Sequence, residues 1–597
     1  MSTADRLNFF TAKYPNPFDN SKNITYKGAY EFLIECPLDL IFKTISNTSL
    51  VNKKLQVPRR LETEIDGHLF IKTKFLGFIP TYWEEYPWRW VFGRHIIANR
   101  EHHVGAMKNE HAVFHFERGE RENQHRVTFY YEVAVKSRLL KFLLNSTFNS
   151  FGKKIEKVVR ELVAIQSKHQ SLIKGIGEHA HRASKRLINA GIEKPLAELM
   201  GQLIYQADDD EVYRIQLPKL VTTWGYDLDT LIDNFLIASK AGFFEICWDV
   251  LCPHCKGTRS RNNELEDLLQ INHCTPCALT FELNDIDIID VTFKISPSLR
   301  EVQNISYCAG EPFKKQHILF QDELELGEKI KLEFELPESL YRLRIIGKKE
   351  NLIFSSSDSV GKEFEWDGLS SATYDQVGNK IVLSITNGDS TKSSYVFESL
   401  SLPPYYLSPL HIFNNIKFRK LYKNEKLSDG VQLKLPDQII LFTDVVDSTK
   451  FYAKVGDKEA YRQINEHFKI IQKHIFAKKG IIIKTIGDCV MATLRSLDDV
   501  IEISRAISQE IKESSDIDFT LRYSVHQGQV IAVNFNTGID YFGNNVNISA
   551  KLQAISNSNE LSLSSELYQQ LQSENSSIQF EKRTYLGDRD GFVMSIN

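Results

Sequence analysis

The chain has 597 residues, too many for a single hydrophobic core, so we expect about three to five domains. Hydrophobic residues make up 42% and charged residues 25% of it, as in ordinary globular proteins, and the net charge of -4 disfavours a surface that coats nucleic acid. No run of about 18 apolar residues exists, and the N-terminus lacks the pattern of a signal peptide. We therefore expect a cytoplasmic protein without a membrane span.

The first part of the chain predicts an arm followed by an antiparallel sheet and a closing helix. Residues 1–20 are polar with scattered aromatics, so we expect a loosely held N-terminal arm. Period-two runs then predict strands, and Pro37 predicts the start of a short helix. Apolar residues at helical spacing predict a long helix over 139–168. Residues 21–170 therefore resemble the START-related, helix-grip fold.

Four aromatic residues stand out in this region, and they allow two interpretations. In a helix-grip fold they would line a cavity that takes an apolar small-molecule ligand as a signal. Alternatively, they fill the core. The residues are Trp83, Trp88, Trp90 and Phe92.

Residues 171–280 predict a helical region that leads into a zinc ribbon. The helical part resembles a winged helix, but Asp227, Asp229 and Asp233 lie where a DNA-binding helix would carry basic residues. A protein-contact module therefore fits better than DNA binding.

Four of the eight cysteines form two Cys-x-x-Cys pairs, with 18 residues between the pairs. Thiolates at this spacing predict a tetrahedral Zn²⁺ site rather than disulfides in a cytoplasmic protein. Because all four positions are thiolates, the site should be structural rather than catalytic. The predicted ligands are Cys252, Cys255, Cys274 and Cys277.

Residues 281–402 consist of strand-like runs separated by turns, which predict a β-sandwich. The Pro403-Pro404 pair breaks this pattern, and residues 403–432 predict a short linker helix. This linker is the natural route for a signal to reach the last domain, 433–597.

The last domain carries polar residues in a pattern that indicates nucleotide chemistry. Asp444 and Asp488 each follow an apolar run, so one sheet edge can hold both carboxylates. Two such carboxylates repel each other unless a cation lies between them, and Mg²⁺ takes carboxylates together with substrate phosphates. Lys484 and Asp540 offer one donor and one acceptor, as the edge of an adenine ring requires.

Three motifs together resemble the class III nucleotide cyclases, especially bacterial adenylate cyclases. They are Phe442-Thr443-Asp444, Gly487-Asp488 and the stretch Asp540–Lys551. The resemblance implies a ferredoxin-like domain that binds two Mg²⁺ or Mn²⁺ ions. The implied metal ligands are Asp444, Asp488 and the backbone carbonyl of Val445, and the implied adenine contacts are Lys484 and Asp540. Asn547 and Lys551, four residues apart on a helix, are the implied transition-state contacts, and Arg589 or Lys582 is the candidate for the terminal phosphates.

Lys551 departs from the family, which normally has Arg there; Lys keeps the charge but loses the two-pronged donor, so lower turnover is expected. We interpret the chain as a multidomain α+β adenylate cyclase that converts ATP to cyclic AMP and pyrophosphate. Its active sites would lie at a homodimer interface under the control of the N-terminal half. The alternatives are a guanylate cyclase, disfavoured by Lys484 and Asp540, and a catalytically weakened ligand-sensing scaffold, favoured only by Lys551.

Overall fold

The fold is that of a computed structural model, which describes residues 3–58, 60–65, 68–75, 79–121, 123–168, 177–302, 311–357, 362–535, 538–573, 578–585, 587 and 589–596. Within these residues, none of the helices combines the length and the apolar character needed to cross a membrane.

The N-terminal region is an antiparallel sheet with a long helix packed against one face. The helices are α1 (Thr3–Lys13), α2 (Leu38–Ser46), α3 (Thr48–Lys54) and α4 (Arg138–Lys168). The strands are β1 (Ile24–Glu35), β2 (Leu61–Ile65), β3 (His68–Phe75), β4 (Ile79–Glu85), β5 (Arg89–Val91), β6 (His95–Val104), β7 (Met107–Arg118) and β8 (Gln124–Val135). The predicted long helix is confirmed, and so is the helix that begins after Pro37. Phe148 and Val159 of α4 pack on the sheet residues Phe32 and Val127.

The N-terminal arm differs from the prediction, because it is a helix packed on the outer face of this sheet. Phe10 and Tyr14 are buried against Val113 and Tyr130. The Tyr14 hydroxyl also lies 2.7 Å from Nδ1 of His115. Apolar positions spaced along α1 therefore hold the arm in place, which its polar average composition concealed.

The aromatic residues near β5 make contacts that favour the core-filling interpretation. The indoles of Trp83 and Trp88 each donate to Glu85 over 2.8 Å, and the indole of Trp90 donates to the carbonyl of Ile318 over 3.1 Å. All three indoles are buried. Phe92 packs on Phe42 with ring centroids 4.8 Å apart.

The next region is a helical bundle that ends in a three-stranded sheet and a small hairpin. Its helices are α5 (Glu178–Asn189), α6 (Lys194–Gln206), α7 (Asp209–Val212), α8 (Leu217–Trp224) and α9 (Leu228–Lys240). Its strands are β9 (Phe244–Leu251), β10 (Thr258–Asn262), β11 (Ile271–Cys274), β12 (Leu279–Glu282) and β13 (Ile289–Ile295). Strand β13 was expected in the sandwich, but it pairs with β9 along its whole length. The sandwich therefore begins later than predicted.

The sandwich strands are β14 (Ile318–Leu324), β15 (Lys329–Glu335), β16 (Leu340–Ile345), β17 (Asn351–Ser357), β18 (Lys362–Trp366), β19 (Ala372–Gly378), β20 (Lys380–Thr386) and β21 (Ser393–Ser399). They form two sheets, in the orders β14-β21-β16-β17-β19 and β15-β20-β18, around one apolar core. Strand β14 also pairs with β5, so the first of these sheets continues into the N-terminal sheet. The two regions expected to be separate thus share one 13-stranded sheet.

The last region is a sheet with helices on both faces. Its helices are α10 (Pro409–Phe413), α11 (Ile416–Leu421), α12 (Ser448–Val455), α13 (Asp457–Ala477), α14 (Leu497–Glu513), α15 (Asn544–Leu552) and α16 (Ser565–Ser573). Its strands are β22 (Leu433–Val445), β23 (Ile481–Ile486), β24 (Cys489–Leu494), β25 (Leu521–Phe535), β26 (Gly538–Phe542), β27 (Glu560–Ser564), β28 (Glu581–Tyr585) and β29 (Arg589–Ser595). The strand order is β23-β24-β22-β25-β27-β29-β28, with β26 paired to β25.

The two faces of this sheet bury different partners. Helices α13 and α14 cover one face, where Leu441, Ala492 and Val525 are buried. The opposite face packs on α15 and on the preceding region, so that Phe442 and Tyr541 share a core with Trp248 and Phe413. The domain with the nucleotide motifs is thus packed directly against the N-terminal half.

Candidate active site

Two carboxylates lie at one edge of the last sheet. Asp444 is next to the end of β22, and Asp488 lies in the turn between β23 and β24, the hairpin that pairs with β22. Thr443 is opposite Val490 in this pairing, which places the two acids side by side. Gly487 has a φ of +62°, a left-handed conformation that favours glycine and lets the turn present Asp488.

The environment of Asp488 favours a bound cation. Burial raises the pKa of Asp488, and the negative charge of Asp444 raises it further. The Oδ2 atom of Asp488 is buried and has no hydrogen-bond partner among the described residues. A buried carboxylate oxygen without a partner is costly, and a divalent ion shared with Asp444 would remove that cost. The residues present therefore fit Mg²⁺ or Mn²⁺. Val445, the last residue of β22, carries its carbonyl at the same edge.

Arg522 is a site residue that sequence reasoning missed. It lies opposite Asp444 in the β22–β25 pairing, and its Nε donates to Oδ2 of Asp444 over 2.9 Å, with a second bond from a terminal guanidinium nitrogen. Its neighbours Leu521 and Tyr523 are buried on the helical face of the sheet. A charged residue between two apolar strand positions was the available signal, but its partner is 78 residues away.

Lys484 and Asp540 form a direct ion pair. Nζ of Lys484 donates to Oδ2 of Asp540 over 2.7 Å, which joins β23 to β26. The other oxygen of Asp540 accepts from the backbone N–H of Tyr541 over 2.7 Å. The predicted donor and acceptor are thus in direct contact, with the Asp540 carboxylate buried and the Lys484 side chain partly exposed.

Helix α15 presents Asn547 and Lys551 on one exposed face, as their spacing predicted. Its buried face is fixed to the sheet by Ser549, whose hydroxyl donates to the carbonyl of Ile440 over 2.7 Å. The hydroxyl of Ser524 donates in turn to the carbonyl of Ser549 over 2.6 Å. Two buried hydrogen bonds therefore set the position of the helix relative to β22.

A half-open cavity of about 500 Å³ lies between Lys551 and Arg522. Thr584 and Tyr585 line its other side, and Tyr585 pairs with Arg589 across the β28–β29 hairpin. Arg589 is exposed at this rim, whereas Lys582 is paired with Asp590 over 2.6 Å. The cavity thus has two cationic walls next to the carboxylate edge, which suits a polyphosphate.

The four cysteines of the two pairs converge on one point. All four are buried, their sulfur atoms lie within 4.8 Å of one another, and Cys255 and Cys274 are 3.7 Å apart. Lys256 and Ala278, which follow the second cysteine of each pair, have positive φ, so both turns fold back around the same point. Four thiols in this arrangement fit a tetrahedral Zn²⁺ ion.

Comparison with known families identifies the last region. Residues 434–591 match the adenylate and guanylate cyclase catalytic domain, and residues 181–339 match a family of unknown function (DUF5939). No curated protein matches the chain. The C-terminal region is therefore a class III nucleotide cyclase catalytic domain. Adenylate and guanylate cyclases share this domain, so the substrate must follow from the residues that contact the base.

Solved structures similar to the chain cover the same region. The catalytic core of a rhodopsin-guanylyl cyclase with converted specificity, in complex with ATPalphaS, is 15% identical and covers 28% of this chain and 98% of its own, with a TM-score of 0.26. A guanylyl cyclase domain of the RhoGC fusion protein from Blastocladiella emersonii is 16% identical over 27% and 96%, with a TM-score of 0.25. The adenylyl cyclase CyaB from P. aeruginosa is 18% identical over 27% and 93%, with a TM-score of 0.24.

Proposed function

We propose that the protein is an adenylate cyclase that converts ATP to 3′,5′-cyclic AMP and pyrophosphate. The observation that carries this proposal is the carboxylate pair Asp444–Asp488 beside the Arg522 guanidinium, in which one buried oxygen of Asp488 has no hydrogen-bond partner among the described residues. In the reaction the ribose 3′-oxygen loses its proton and bonds to the α-phosphorus, and the bond from that phosphorus to pyrophosphate breaks.

The roles of the chain's own groups follow from their positions. Asp444, Asp488 and the carbonyl of Val445 would hold two divalent ions, which when bound favour ionisation of the 3′-hydroxyl and neutralise phosphate charge. Arg522 would exchange part of its contact with Asp444 for phosphate oxygens, since a guanidinium can serve both. Lys551 and Asn547 would donate to charge that develops on the reacting phosphate, and Arg589 would contact the terminal phosphates.

The pair Lys484–Asp540 supports ATP as the substrate. Adenine offers an amino donor beside a ring-nitrogen acceptor, which matches a carboxylate beside an ammonium. Guanine reverses this order, with the O6 acceptor where adenine has its amino group and the N1–H donor where adenine has its ring acceptor. The same pair in the same orientation would therefore set donor against donor and acceptor against acceptor.

Nucleotide specificity is tested by incubating the purified chain with Mn²⁺ and either ATP or GTP. Cyclic AMP should form from ATP, and the Asp444→Ala variant should form none. Replacing the base-contacting pair with Lys484→Glu and Asp540→Cys should reduce the activity with ATP about a hundredfold and favour GTP. Cyclic GMP as the main wild-type product would establish the guanylate alternative, and absence of both products would favour the scaffold.

We also propose that the active site is completed by a second subunit in a homodimer. The metal ligands would come from one subunit, and the base contacts together with Asn547 and Lys551 from the other. Within one chain, Asp444 is paired with Arg522 and Asp540 with Lys484, as two separate ion pairs. Two inactive variants, Asp444→Ala and Asn547→Ala, should therefore regain about a quarter of wild-type activity when mixed, because half of the exchanged dimers would carry one intact site. A mixture that stays as inactive as its components, with an active wild-type monomer, would exclude the shared site.

We further propose that the N-terminal half controls the activity. Asp229 of α9 accepts from Lys479 over 2.7 Å and from Arg495 over 3.0 Å, on either side of the β23–β24 hairpin. The hydrogen bond from Arg495, and then that from Lys479, lower the pKa of Asp229 to about 2, so the contact is ionised at neutral pH.

The linker makes corresponding contacts with β26. Asn414 accepts from the hydroxyl of Tyr541 over 2.7 Å, and Arg419 donates to the carbonyl of Ile539 over 2.8 Å. Ile539 and Tyr541 lie on either side of Asp540 in β26. The N-terminal half therefore contacts both strands that carry the Lys484–Asp540 pair.

This control is tested by Asp229→Asn, which should change turnover at least twofold in the full chain. Glu245→Gln is the matched control, because Glu245 pairs with Lys294 inside its own region. Unchanged turnover in Asp229→Asn, with an unchanged melting temperature, would exclude control through this contact.

Finally, we propose one structural Zn²⁺ ion on Cys252, Cys255, Cys274 and Cys277. Metal analysis of the purified chain should find about one zinc per chain, and Cys274→Ser should lose it and unfold at a lower temperature. Intact protein without zinc at full stability would contradict this site.

A further inference from the structure

The beginning of α4 carries large apolar side chains that the fold leaves exposed. Leu139 is 68%, Phe142 is 66% and Leu143 is 47% exposed, whereas Phe148 and Ile155 on the same helix are buried in the core. At a spacing of three and four residues, the three exposed side chains lie on one face of the helix. Contiguous apolar surface of this kind marks an interaction site more often than scattered exposed residues do.

The same segment is strongly basic. Between Glu132 and Glu156 the sequence has five Lys or Arg residues and no acidic residue, although the whole chain has a net charge of -4. Arg138 and Lys141 lie in the first turn of α4, where the helix macrodipole disfavours positive charge. Cations at this position do not stabilise the helix itself, and they leave a positive surface to which an external negative charge would be attracted.

A second element extends this surface. The backbone N–H of Lys136 donates to the carbonyl of Ala106 over 3.0 Å, which joins the start of α4 to the turn between β6 and β7. Val104, before that turn, is 48% exposed, and Lys108, after it, is exposed as well. Apolar and basic side chains thus meet at one end of the N-terminal sheet.

We propose that this surface, the α4 tip (Val104, Lys136 and residues 138–143), docks on a membrane surface that contains anionic lipids. Exposed Leu and Phe side chains flanked by Lys and Arg are the combination that interfacial helices use, with the apolar groups below the headgroups and the cations beside the phosphates. A second copy of the chain is a poor occupant, because it would bring a second basic segment against the first. Docking of this kind needs no membrane-spanning helix and would place the cyclase domain at the membrane.

Vesicle sedimentation with the full chain tests this proposal. The protein should pellet with vesicles of phosphatidylcholine that contain about one third phosphatidylserine, and at least tenfold less with phosphatidylcholine alone. Raising the salt concentration from about 0.05 M to about 0.5 M should weaken the binding, because the phosphate–cation attraction is screened.

Substitutions separate the contribution of the basic residues to vesicle binding from that of the exposed apolar residues. Arg138→Glu with Lys141→Glu should weaken binding to the anionic vesicles at least about twenty-fivefold, as about fivefold is expected for each lost positive charge. Phe142→Ser with Leu143→Ser should weaken it at least tenfold. The matched controls are Lys157→Glu, further along the same helix, and Leu326→Ser with Leu369→Ser, two exposed leucines of the sandwich. All variants change exposed residues, so circular dichroism and melting temperature should match the wild type.

Four results would overturn the proposal. The first is no sedimentation of the wild type with anionic vesicles at low salt, and the second is equal sedimentation with neutral vesicles. The third is wild-type binding by Phe142→Ser with Leu143→Ser. The fourth is a wild-type dimer that this double variant abolishes while vesicle binding stays absent, which would assign the surface to self-association.

Discussion

Acidic side chains in two regions of the molecule, the N-terminal sheet and the carboxylate edge of the cyclase domain, are treated differently by the rest of the chain. In the N-terminal sheet, Glu85 accepts from the indoles of Trp83 and Trp88 and from Arg100. Glu110 of the same sheet accepts from Arg100 over 3.1 Å and lies 2.7 Å from Nε2 of His102. Every carboxylate oxygen in this group has a partner from the chain itself.

In the cyclase domain, the two half-buried acids at the sheet edge are not neutralised in this way. Asp444 has Arg522, but Asp488 keeps a buried oxygen without a partner among the described residues and faces the charge of Asp444. A fold that gives every oxygen of one set of acids a partner and leaves a buried oxygen of another set without one marks the second set as a candidate ligand site. Burial of acids is therefore a weak sign of a functional site, and burial without partners is a stronger one.

The largest effect is expected at Asp488. Asp488→Asn should lower cyclic AMP formation at least a thousandfold, because the amide is a far weaker metal ligand than the carboxylate. Its unfolding free energy should stay unchanged or rise by about 1 kcal/mol, since the repulsion from Asp444 is removed. Activity assays with Mn²⁺ and thermal melts measure both, with the exposed Asp516→Asn as control. If Asp488→Asn stayed active or unfolded, Asp488 would not differ from the acids of the N-terminal sheet in serving activity rather than stability.

The opposite pattern is expected for Glu110. Glu110→Gln leaves Arg100 and His102 without part of their buried partner and should cost about 3 kcal/mol of unfolding free energy, with turnover of the folded protein changed less than twofold. Exposed Glu117→Gln on the same strand is the control. A loss of turnover without a loss of stability would show that this cluster, too, has a functional role.

The Glu110 cluster should also respond to pH. Burial opposes ionisation of Glu110, but His102 and then Arg100 hold its pKa well below the usual value. A lowered pKa means that the stabilisation is fully present above the pKa of an unfolded Glu, about 4.3, and is lost as the pH falls through the lower folded value. The difference in urea stability between wild type and Glu110→Gln should therefore be largest near neutral pH and shrink in acid. A constant difference would argue against an ionised Glu110.

The smallest effect is expected on the cationic side of the active site. Lys551→Arg should raise turnover severalfold, up to about tenfold, because a guanidinium offers two parallel donors to a phosphate where the ammonium offers one charge. Lys469→Arg, on the outer surface of the same domain, should change nothing. Unchanged turnover in Lys551→Arg would indicate that this side chain does not contact the reacting phosphate.

Local patterns predicted much of the architecture. The apolar spacing over 139–168 predicted α4, and the four-residue spacing of Asn547 and Lys551 predicted their common face on α15. These features depend on residues a few positions apart, so composition and periodicity are sufficient to find them. The same approach did not predict the packed helix within residues 1–20, because this helix is short and only two aromatic residues of the arm are buried.

Contacts between distant parts of the chain were not predictable in this way. Strand β13 pairs with β9 and not with the sandwich, and β5 pairs with β14 more than 200 residues later. Arg522 reaches Asp444 through strand register, and Asp229 reaches Lys479 across 250 positions. Such pairings depend on which surfaces remain available after the local elements have formed.

By itself, the sequence determined which groups could do chemistry: two acids at strand ends, a Lys–Asp pair, a helix with Asn547 and Lys551, and four cysteines in two turns. Each of these is set by neighbouring residues. Only the tertiary structure decided that one oxygen of Asp488 is buried without a partner among the described residues, and that Arg522 contacts Asp444. It also decided that α9 and the linker contact the strands of the Lys484–Asp540 pair or the residues next to them. These contacts depend on packing between segments far apart in the chain. That packing decides whether a charged side chain has a partner within the protein or remains available to a ligand.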